Sequence, residues 1–346
     1  MQFPDIPPIN EASAAMAAVR QQQLTKPAGS LGRLEALSIQ LAGITGQERP
    51  RFHHKTVIIM AADHGVALDG VSAYPPEVTA QMVSNFLHGG AAINVLARQT
   101  GASVRIVDIG VAQDFPAAPG LLQRKIAYGT QNMHKGPAMT REQAEQSLEI
   151  GMHVAHQAID EGADLIATGE MGIGNTTPSS AITAVLCGLP VEQVTGRGTG
   201  LDDAALQQKI AIIKAAIQTN HPRPEDALDV LAKMGGFEIG GLAGVMISAA
   251  SRHVPVVVDG FISAAAALIA VSLVPQVRPY LIASHQSREI GQRAIWNFLG
   301  LEPLLDLDLR LGEGSGAALA FHLIEAATGT LDEMATFAEA GVSDKA

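Results

Sequence analysis

The feature that most restricts the fold of this sequence is a series of short apolar segments, each followed by a glycine or polar turn and a helical pattern. The segments are KTVIIMAADHG, SVRIVDIG, DLIATGEMG and VPVVVDGF, and PYLIAS continues the series. Strands that are apolar along their whole length are typical of a parallel sheet covered by helices on both faces. The sequence therefore predicts a doubly wound α/β fold with a mostly parallel sheet.

Polar side chains follow these predicted strands. They are Asp63, His64, Asp108, Glu170, Asp259, Ser284 and His285. Ligands of doubly wound sheets bind beyond the carboxyl ends of the strands, so the shared location predicts a ligand site at that edge. For any single one of these residues, a helix cap or a turn explains the residue as well as function does.

The two ends of the chain have a different pattern. Residues 1–45 contain two helical segments, EASAAMAAVRQQQLT and LGRLEALSIQLAGIT, and from about residue 290 the pattern is helical without strands. We expect a large α/β domain over residues 46–290 that carries the active-site loops. Residues 1–45 and 291–346 are expected to form a small helical subdomain.

Charge and apolar patterning limit the possible partners. The formal net charge of −11, without a basic patch, argues against binding to nucleic acid or to an anionic membrane. The run FISAAAALIAVSLVP is too short and too rich in alanine to cross a bilayer, and it predicts a buried helix. The first residues, MQFPDIPPINEAS, have no signal-peptide pattern, so we expect a cytoplasmic protein. Cys187, the single cysteine, is expected to be a buried, unreactive side chain.

The stretch TGEMGIGNTTPSSAI combines the end of a predicted strand, a glycine loop and the start of a helix. Gly172 and Gly174 let the backbone approach a ligand, and Thr176 and Thr177 offer hydroxyl groups and a cap. Backbone N–H groups at a helix N-terminus form an anion site, for which phosphate is a natural ligand. The spacing matches neither the P-loop nor the dinucleotide fingerprint, and glycine turns are also common in packing.

A second glycine loop, TGRGTGLDD, opens a predicted helix over residues 202–219. Its apolar stripe consists of Leu206, Ile210, Ile213 and Ile217. Lys209 lies beside this stripe, where it either extends along the edge of the core or provides an ammonium group for a phosphate.

We expect neither a metal ion nor a cofactor. His153 and His156 lie one turn apart on a predicted helix, but no third ligand is nearby in the sequence. Asp63 and His64 fit strand-end hydrogen bonding as well as they fit metal binding. Ser315 lacks the GxSxG elbow of the α/β hydrolases.

Glu313 lies between Gly312 and Gly314, directly before an apolar helix. The glycines allow a flat ligand to approach, and apolar surroundings are expected to raise the basicity of the carboxylate, opposed in part by the helix dipole. These features suit a general base. They also suit a first-turn glutamate that the helix dipole stabilises by up to about 1 kcal/mol.

Nine stretches, in order over most of the chain, give the sequence a specific family resemblance. They are LTKPAGSLGRLE, AADHGV, SAYPPEVTAQMVSNFLHGGAAINVLAR, ATGEMGIGNTTPSSAI, TGRGTGLD, MGGFEIGGLAG, VVVDGFISAAAAL, ASHQSREIGQRA and LDLRLGEGSGAALA. The chain resembles the nicotinate-nucleotide:dimethylbenzimidazole phosphoribosyltransferase family. That resemblance implies transfer of the 5-phosphoribosyl group of nicotinate mononucleotide to 5,6-dimethylbenzimidazole, giving α-ribazole 5′-phosphate and nicotinate in cobalamin nucleotide-loop assembly. It also implies a homodimer with a Rossmann-like large domain.

The resemblance also implies roles for particular residues. Glu313 matches the catalytic glutamate of the family, and Glu170 matches a second active-site glutamate. The remaining implied positions are Gly172, Gly174, Asn175, Thr176, Lys209, Ser287, Gly312 and Gly314 for the nucleotide and its phosphate, and Ser72 and Gln81 for the aromatic base.

Two other functions are compatible with such a fold. A nucleotide-dependent oxidoreductase is disfavoured by the glycine spacing, and it would change the absorbance of a nicotinamide cofactor. A non-catalytic protein that binds nucleotides or bases does not need Glu313, so the presence of that residue favours an enzyme.

Overall fold

The computed structural model describes residues 1–343. Its strands are β1 Lys55–Ala62, β2 Ser103–Gly110, β3 Leu121–Gln123, β4 Leu165–Met171, β5 Val256–Val258, β6 Leu281–Ala283, β7 His285–Gln286 and β8 Leu305–Asp306. Its helices are α1 Glu11–Gln23, α2 Arg33–Thr45, α3 Val78–Leu87, α4 Ala92–Thr100, α5 Arg141–Asp160, α6 Thr176–Cys187, α7 Val191–Val194, α8 Asp203–Asn220, α9 Ala227–Met234, α10 Phe237–Ser251, α11 Phe261–Leu273, α12 Ile290–Leu299, α13 Ser315–Glu333 and α14 Phe337–Ala340.

The main sheet has six strands in the order β3-β2-β1-β4-β5-β6, and all neighbouring strands are parallel. The chain moves outward from β1 in one direction and from β4 in the other, so the strand order reverses between these two central strands. The predicted doubly wound α/β fold is confirmed, and each of the predicted apolar segments contains a strand. The crevice between the carboxyl ends of β1 and β4 is where such folds bind ligands.

Both faces of the sheet are covered, which explains the continuous apolar character of β1. Val57 and Ile59 lie in a core shared with α2, α3, α4 and α13. Ile58 and Met60 lie in the core on the opposite face, with α5, α6, α10 and α11. Because successive side chains of a strand point to opposite faces, burial on both sides requires an apolar residue at every position.

Helices α5 and α10 touch through their backbones. A Cβ atom added to Gly151 on α5 would lie 1.8 Å from the carbonyl oxygen of Gly241 on α10. Every residue of α10 from Phe237 to Ala250 is buried. The abundance of glycine and alanine in this part of the sequence therefore serves close helix packing.

The first helix of the chain meets helix α13 near its end. The Arg20 guanidinium of α1 donates hydrogen bonds to the carbonyl oxygens of Leu331 and Asp332 on α13, at 2.6 and 2.9 Å. Helices α2 and α13 also pack on the sheet, and α12 packs on α6, α7 and α11. The division into residues 46–290 and a terminal subdomain is kept as a proposal.

Three short strands were not predicted. β8 lies in the segment after residue 290 that was expected to have no strands, and it pairs with β7 over only two residues. β3 has three residues and forms an edge of the main sheet. None of these strands is long enough to produce a recognisable hydrophobic period.

The apolar run after Gly260 forms the predicted buried helix, α11. Across residues 1–343, no helix combines the length and the apolar character needed to cross a bilayer. Cys187, predicted to be buried, is only partly buried at the end of α6, because that end of the helix reaches the surface of the core. Burial still raises the pKa of its thiol to about 11, which makes the side chain a poor nucleophile.

Candidate active site

Glu170 lies at the carboxyl end of β4, beside the switch in strand order. Its carboxylate accepts a 2.5 Å hydrogen bond from the side-chain amide of Asn175. Burial is the main cause that raises the pKa of Glu170 to about 8, and the negative charges of Asp259, Glu238 and Glu313 add to it. The pKa of this carboxyl group therefore lies near neutral pH, well above that of an exposed glutamate.

Glu313 lies on the loop that precedes α13, and its side chain is buried as the sequence predicted. Its Oε2 atom accepts a hydrogen bond of 3.3 Å from the N–H of Ile93 at the start of α4. Burial raises the pKa of Glu313, the Ile93 N–H opposes this, and the charge of Asp259 adds to it. A buried carboxylate with few hydrogen bonds is a stronger base than an exposed one.

The loop that carries Glu313 touches Glu170 directly. A Cβ atom on Gly312 would lie 2.2 Å from Oε1 of Glu170, and its backbone has φ +87°, a conformation that favours glycine. The backbone of Glu313 itself has φ +65°, a conformation that few residues other than glycine adopt. The glycines on both sides of Glu313 thus bring the two glutamates into one site.

Lys209 is completely buried, which differs from the position at the edge of the core suggested by the helical pattern. Its ammonium group donates to the Thr176 hydroxyl at 2.7 Å and lies 3.5 Å from the carbonyl oxygen of Gly196. Burial lowers the pKa of Lys209 to about 8, and the charge of Glu289 opposes that change. The structure therefore joins the two glycine loops through one lysine.

Asn175 precedes the first residue of α6, but its side chain does not cap the helix and binds Glu170 instead. Neither Thr176 nor Thr177, the two residues predicted to offer a cap, caps α6 through its side chain. The Thr176 hydroxyl accepts a hydrogen bond from Lys209, and the Thr177 hydroxyl is buried without a hydrogen bond within residues 1–343. Gly172 packs against the carbonyl of Ala62, at the switch point.

Ser287 belongs to the same region as Lys209. Its hydroxyl accepts the N–H of Glu289 at 3.2 Å, and the Glu289 carboxylate accepts the N–H of Gly198 at 2.8 Å. A cavity of about 420 Å³ lies beside these loops and is lined by Arg197, Arg288 and Arg310 among others. Backbone N–H groups and several cations at one cavity favour an anionic ligand.

Ser72 and Gln81 make no hydrogen bond to Glu170 or Glu313 within residues 1–343. The Ser72 hydroxyl is 3.1 Å from the Thr199 hydroxyl of the second glycine loop. Gln81 is exposed on α3, whose Thr79 accepts the N–H of Ile173 in the first glycine loop. Both residues thus border the glycine loops, and their assignment to the aromatic base stays a prediction.

His64, one of the polar residues that follow β1, forms a buried pair with Glu238, a partner that its sequence position did not indicate. Nε2 of His64 is 2.7 Å from Oε1 of Glu238, and both side chains are buried. Burial lowers the pKa of His64, but the charge of Glu238 outweighs it and the net pKa is raised. The sequence contained one sign of this pair: Glu238 lies inside the apolar stretch MGGFEIGGLAG, and a buried charge needs a partner.

Other candidates lie elsewhere. Asp108 accepts the N–H of Val111 at 2.9 Å and pairs with Lys125 at 2.8 Å, away from the glutamates. His153 and His156 are exposed. In the described part of the chain, no three His, Cys, Asp or Glu side chains are grouped to hold a metal ion. A cavity of about 620 Å³ at the ends of β1 and β2 is lined by Asp63 and Lys135 but by neither Glu170 nor Glu313.

The fold and the site define a doubly wound α/β protein with buried carboxylates and glycine loops at its switch point. A family model described as phosphoribosyltransferase matches residues 6–342. The nicotinate-nucleotide–dimethylbenzimidazole phosphoribosyltransferase of Chloroflexus aggregans is 62% identical over 340 residues, which cover 98% of this chain and 96% of the relative. A relative of the same name from a Roseiflexus species is also 62% identical, with the same coverage.

Solved structures agree with this comparison. The crystal structure described as CobT from Thermus thermophilus has a TM-score of 0.93 and 48% identity, and the match covers 96% of this chain and 100% of that chain. The chain therefore belongs to the phosphoribosyltransferase family that contains the nicotinate-nucleotide–dimethylbenzimidazole phosphoribosyltransferases.

Proposed function

We propose that this protein transfers the 5-phosphoribosyl group of nicotinate mononucleotide to 5,6-dimethylbenzimidazole, giving α-ribazole 5′-phosphate and nicotinate. The observation that carries the proposal is Glu313, a buried carboxylate with a raised pKa on a glycine-flanked loop, in a chain of this family. The product is a building block of the cobalamin nucleotide loop. No cofactor is required, because the donor already carries its leaving group.

Glu313 acts as the general base. One ring nitrogen of the benzimidazole attacks the anomeric carbon of the ribose, and the other ring nitrogen loses its proton to the Glu313 carboxylate. The bond between the ribose and the pyridinium nitrogen breaks, and its electron pair stays on that nitrogen, so the ring leaves uncharged. Attack from the face opposite the leaving group inverts the β-riboside to the α product.

Glu170 stabilises positive charge on the donor. Its raised pKa reflects burial and three neighbouring carboxylates, and the cationic pyridinium–ribosyl group of the donor would relieve that repulsion. Binding of the donor thereby favours the ionised form of Glu170 close to the developing charge on the ribose. Ordering of a water molecule by Glu170 is the alternative, and a Glu170→Gln variant that retains full turnover would favour it.

The phosphate of the donor binds at the two glycine loops. Lys209 provides a cation there, and Thr176 and Ser287 provide hydroxyl groups. Gly172 and Gly174 contribute backbone N–H groups, and Gly198 lets the backbone lie close to Thr176 and Lys209. Asn175 keeps Glu170 in place at the same loop. Ser72 and Gln81 contact the aromatic base, at the border of these loops.

The protein acts as a homodimer in the cytoplasm. We infer the homodimer from the family resemblance. We infer the cytoplasmic location from the substrates, which are intermediates of intracellular metabolism. Exposed apolar side chains such as Leu68 and Tyr128, which line one cavity, are compatible with a covered surface.

The reaction is tested by incubating the protein with nicotinate mononucleotide and dimethylbenzimidazole. We expect nicotinate and α-ribazole 5′-phosphate in equal amounts, with no nicotinate when dimethylbenzimidazole is omitted. The α configuration is checked by proton NMR of the anomeric position. If calorimetry detects binding of both compounds but no nicotinate forms at any pH at which the fold persists, the non-catalytic alternative is correct.

A further inference from the structure

Asp259 is a buried carboxylate for which the proposed mechanism has no role. It follows β5, and both of its carboxylate oxygens accept backbone N–H groups from the start of α13. The Gly314 N–H donates to Oδ2 at 3.1 Å, and the Ala317 N–H donates to Oδ1 at 3.0 Å. Since Gly314 directly follows Glu313, Asp259 fixes the backbone on the carboxyl side of the base.

This support matters because the backbone of Glu313 is strained. Glu313 has φ +65°, in the left-handed region that residues with a side chain rarely adopt. Surrounding contacts must hold such a conformation. Within residues 1–343, the Glu313 side chain accepts one hydrogen bond, from the Ile93 N–H at 3.3 Å. Its backbone is held by two sets of contacts: Ser315 donates its N–H and its hydroxyl to the Gly312 carbonyl, and Asp259 accepts the Gly314 N–H.

The main chain of Asp259 leads to the other half of the site. Its carbonyl oxygen accepts the side-chain amide of Gln292 at 3.3 Å, and Gln292 on α12 is fully buried. The Oε1 atom of Gln292 accepts the N–H of Ser287. One residue is therefore connected both to the loop of the base and to a residue proposed to bind the donor phosphate.

We propose that Asp259 is a positioning residue that holds Glu313 in its catalytic orientation, and that Gln292 ties this position to Ser287. The inference rests on the proposed function, because it states that Asp259 and Gln292 fix the distance between the general base and the phosphate site. Reactant geometry at this scale matters, since a displacement of about 1 Å lowers a rate on the order of 10²-fold.

The first test is Asp259→Asn, in which one carboxylate oxygen becomes an amide that repels a backbone N–H. We expect kcat to fall at least about tenfold, while the Kd for nicotinate mononucleotide stays within about threefold. A variant that was merely misfolded would lose both kcat and binding of nicotinate mononucleotide. The matched control is Asp108→Asn, which likewise neutralises a buried carboxylate that accepts a backbone N–H, at β2, and is expected to leave kcat unchanged.

The second readout is the pH dependence of kcat. Two acidic side chains lie near Glu313: Asp259, directly after β5, and Glu170 on β4. Nδ1 of His285 lies 3.9 Å from Oδ1 of Asp259. From α4, Glu313 receives the backbone N–H of Ile93. Burial raises the pKa of Asp259, while His285 and the backbone N–H donors oppose this. When Asp259 is ionised, its charge favours protonation of Glu313. In Asp259→Asn that charge is lost, so the pKa of Glu313 should fall and the acid limb of the kcat profile should move to lower pH. In Asp108→Asn the acid limb should stay where it is in wild type.

Gln292→Met tests the link to Ser287. It should raise the KM for nicotinate mononucleotide at least about tenfold, because the Ser287 N–H loses its acceptor. If Asp259→Asn does not fold, Asp259→Glu, which keeps the charge and moves the oxygens, replaces it in the comparison of kcat.

Two results would overturn the inference while the wild-type protein still releases nicotinate. One is a kcat and an acid limb for the Asp259 variant equal to those of Asp108→Asn. The other is an unchanged KM for Gln292→Met. Absence of nicotinate release from the wild type would instead refute the proposed function, so the two failures are distinguishable.

Discussion

At the scale of single residues, chemical type and neighbours in the sequence indicated which side chains carry the chemistry, but not their surroundings. Glu313 between glycines, before an apolar helix, was recognisable as a buried carboxylate with a raised pKa. Lys209 was not recognisable as a buried lysine, because a helical pattern places a residue on a face without stating what covers it. The roles of Asp259 and Gln292 depend on contacts between distant segments, which no local pattern encodes.

The buried Lys209 leads to a prediction on binding. Its pKa is lowered to about 8, so the ammonium group is charged below that pH and loses its proton above it. The donor phosphate is already mostly a dianion at neutral pH. We therefore expect the Kd for nicotinate mononucleotide to rise as pH increases above about 8.

Calorimetry with wild type, Lys209→Met and Lys214→Met checks this prediction. Lys214 is an exposed lysine on the same helix and should behave as wild type. Lys209→Met should bind more weakly at pH 7 and lose the dependence on pH. A Lys209→Met protein that keeps the wild-type pH dependence would assign it to another group.

At the scale of elements, the sequence predicted the long strands and helices and missed the very short strands. Apolar segments such as the one in β1 are long enough to give a clear signal, and the helix caps at Gly46 and Gly188 mark the ends of α2 and α6. Strands β7 and β8 pair over two residues, where tertiary contacts rather than local preference decide the structure. The strand order in the sheet also depends on such contacts.

The close contact between α5 and α10 gives a prediction on stability. Gly151→Ala places a methyl group 1.8 Å from the Gly241 carbonyl oxygen, so the helices must separate. We expect the free energy of unfolding to fall by about 1 to 3 kcal/mol, the usual effect of overpacking a core. Urea denaturation measures the difference.

Gly329→Ala is the matched control for this prediction. Gly329 also lies within a helix, α13, but a Cβ atom there meets only the Arg51 side chain at 3.7 Å. Because alanine favours helices, this variant should be as stable as wild type or more stable by about 0.5 to 1 kcal/mol. Equal stability of Gly151→Ala and Gly329→Ala would mean that the two helices are not held in this close contact.

At the scale of the whole molecule, the regular alternation of apolar strands and helices was sufficient to predict the doubly wound class. The division into domains was harder to predict, because α2 and α13 belong both to the meeting point of the chain ends and to a core of the sheet. The family resemblance extends over nearly the whole chain, which is why it predicted the activity where single motifs did not.

The proposed homodimer is a prediction at this scale. Sedimentation velocity should give a particle of two chains over the range of concentrations at which the enzyme is active. Addition of nicotinate mononucleotide should not dissociate it. A single chain with full activity would contradict the proposed assembly without affecting the reaction itself.

The central claim is that Glu313 accepts the proton of the attacking azole, and turnover of Glu313→Gln tests it most directly. Nicotinate release is measured at saturating concentrations of both substrates, with binding of nicotinate mononucleotide measured in parallel. We predict that turnover falls roughly 10²-fold or more, the usual effect of losing a general base, while binding persists. Turnover of Glu313→Gln within about threefold of wild type would contradict this account and assign the base to another residue.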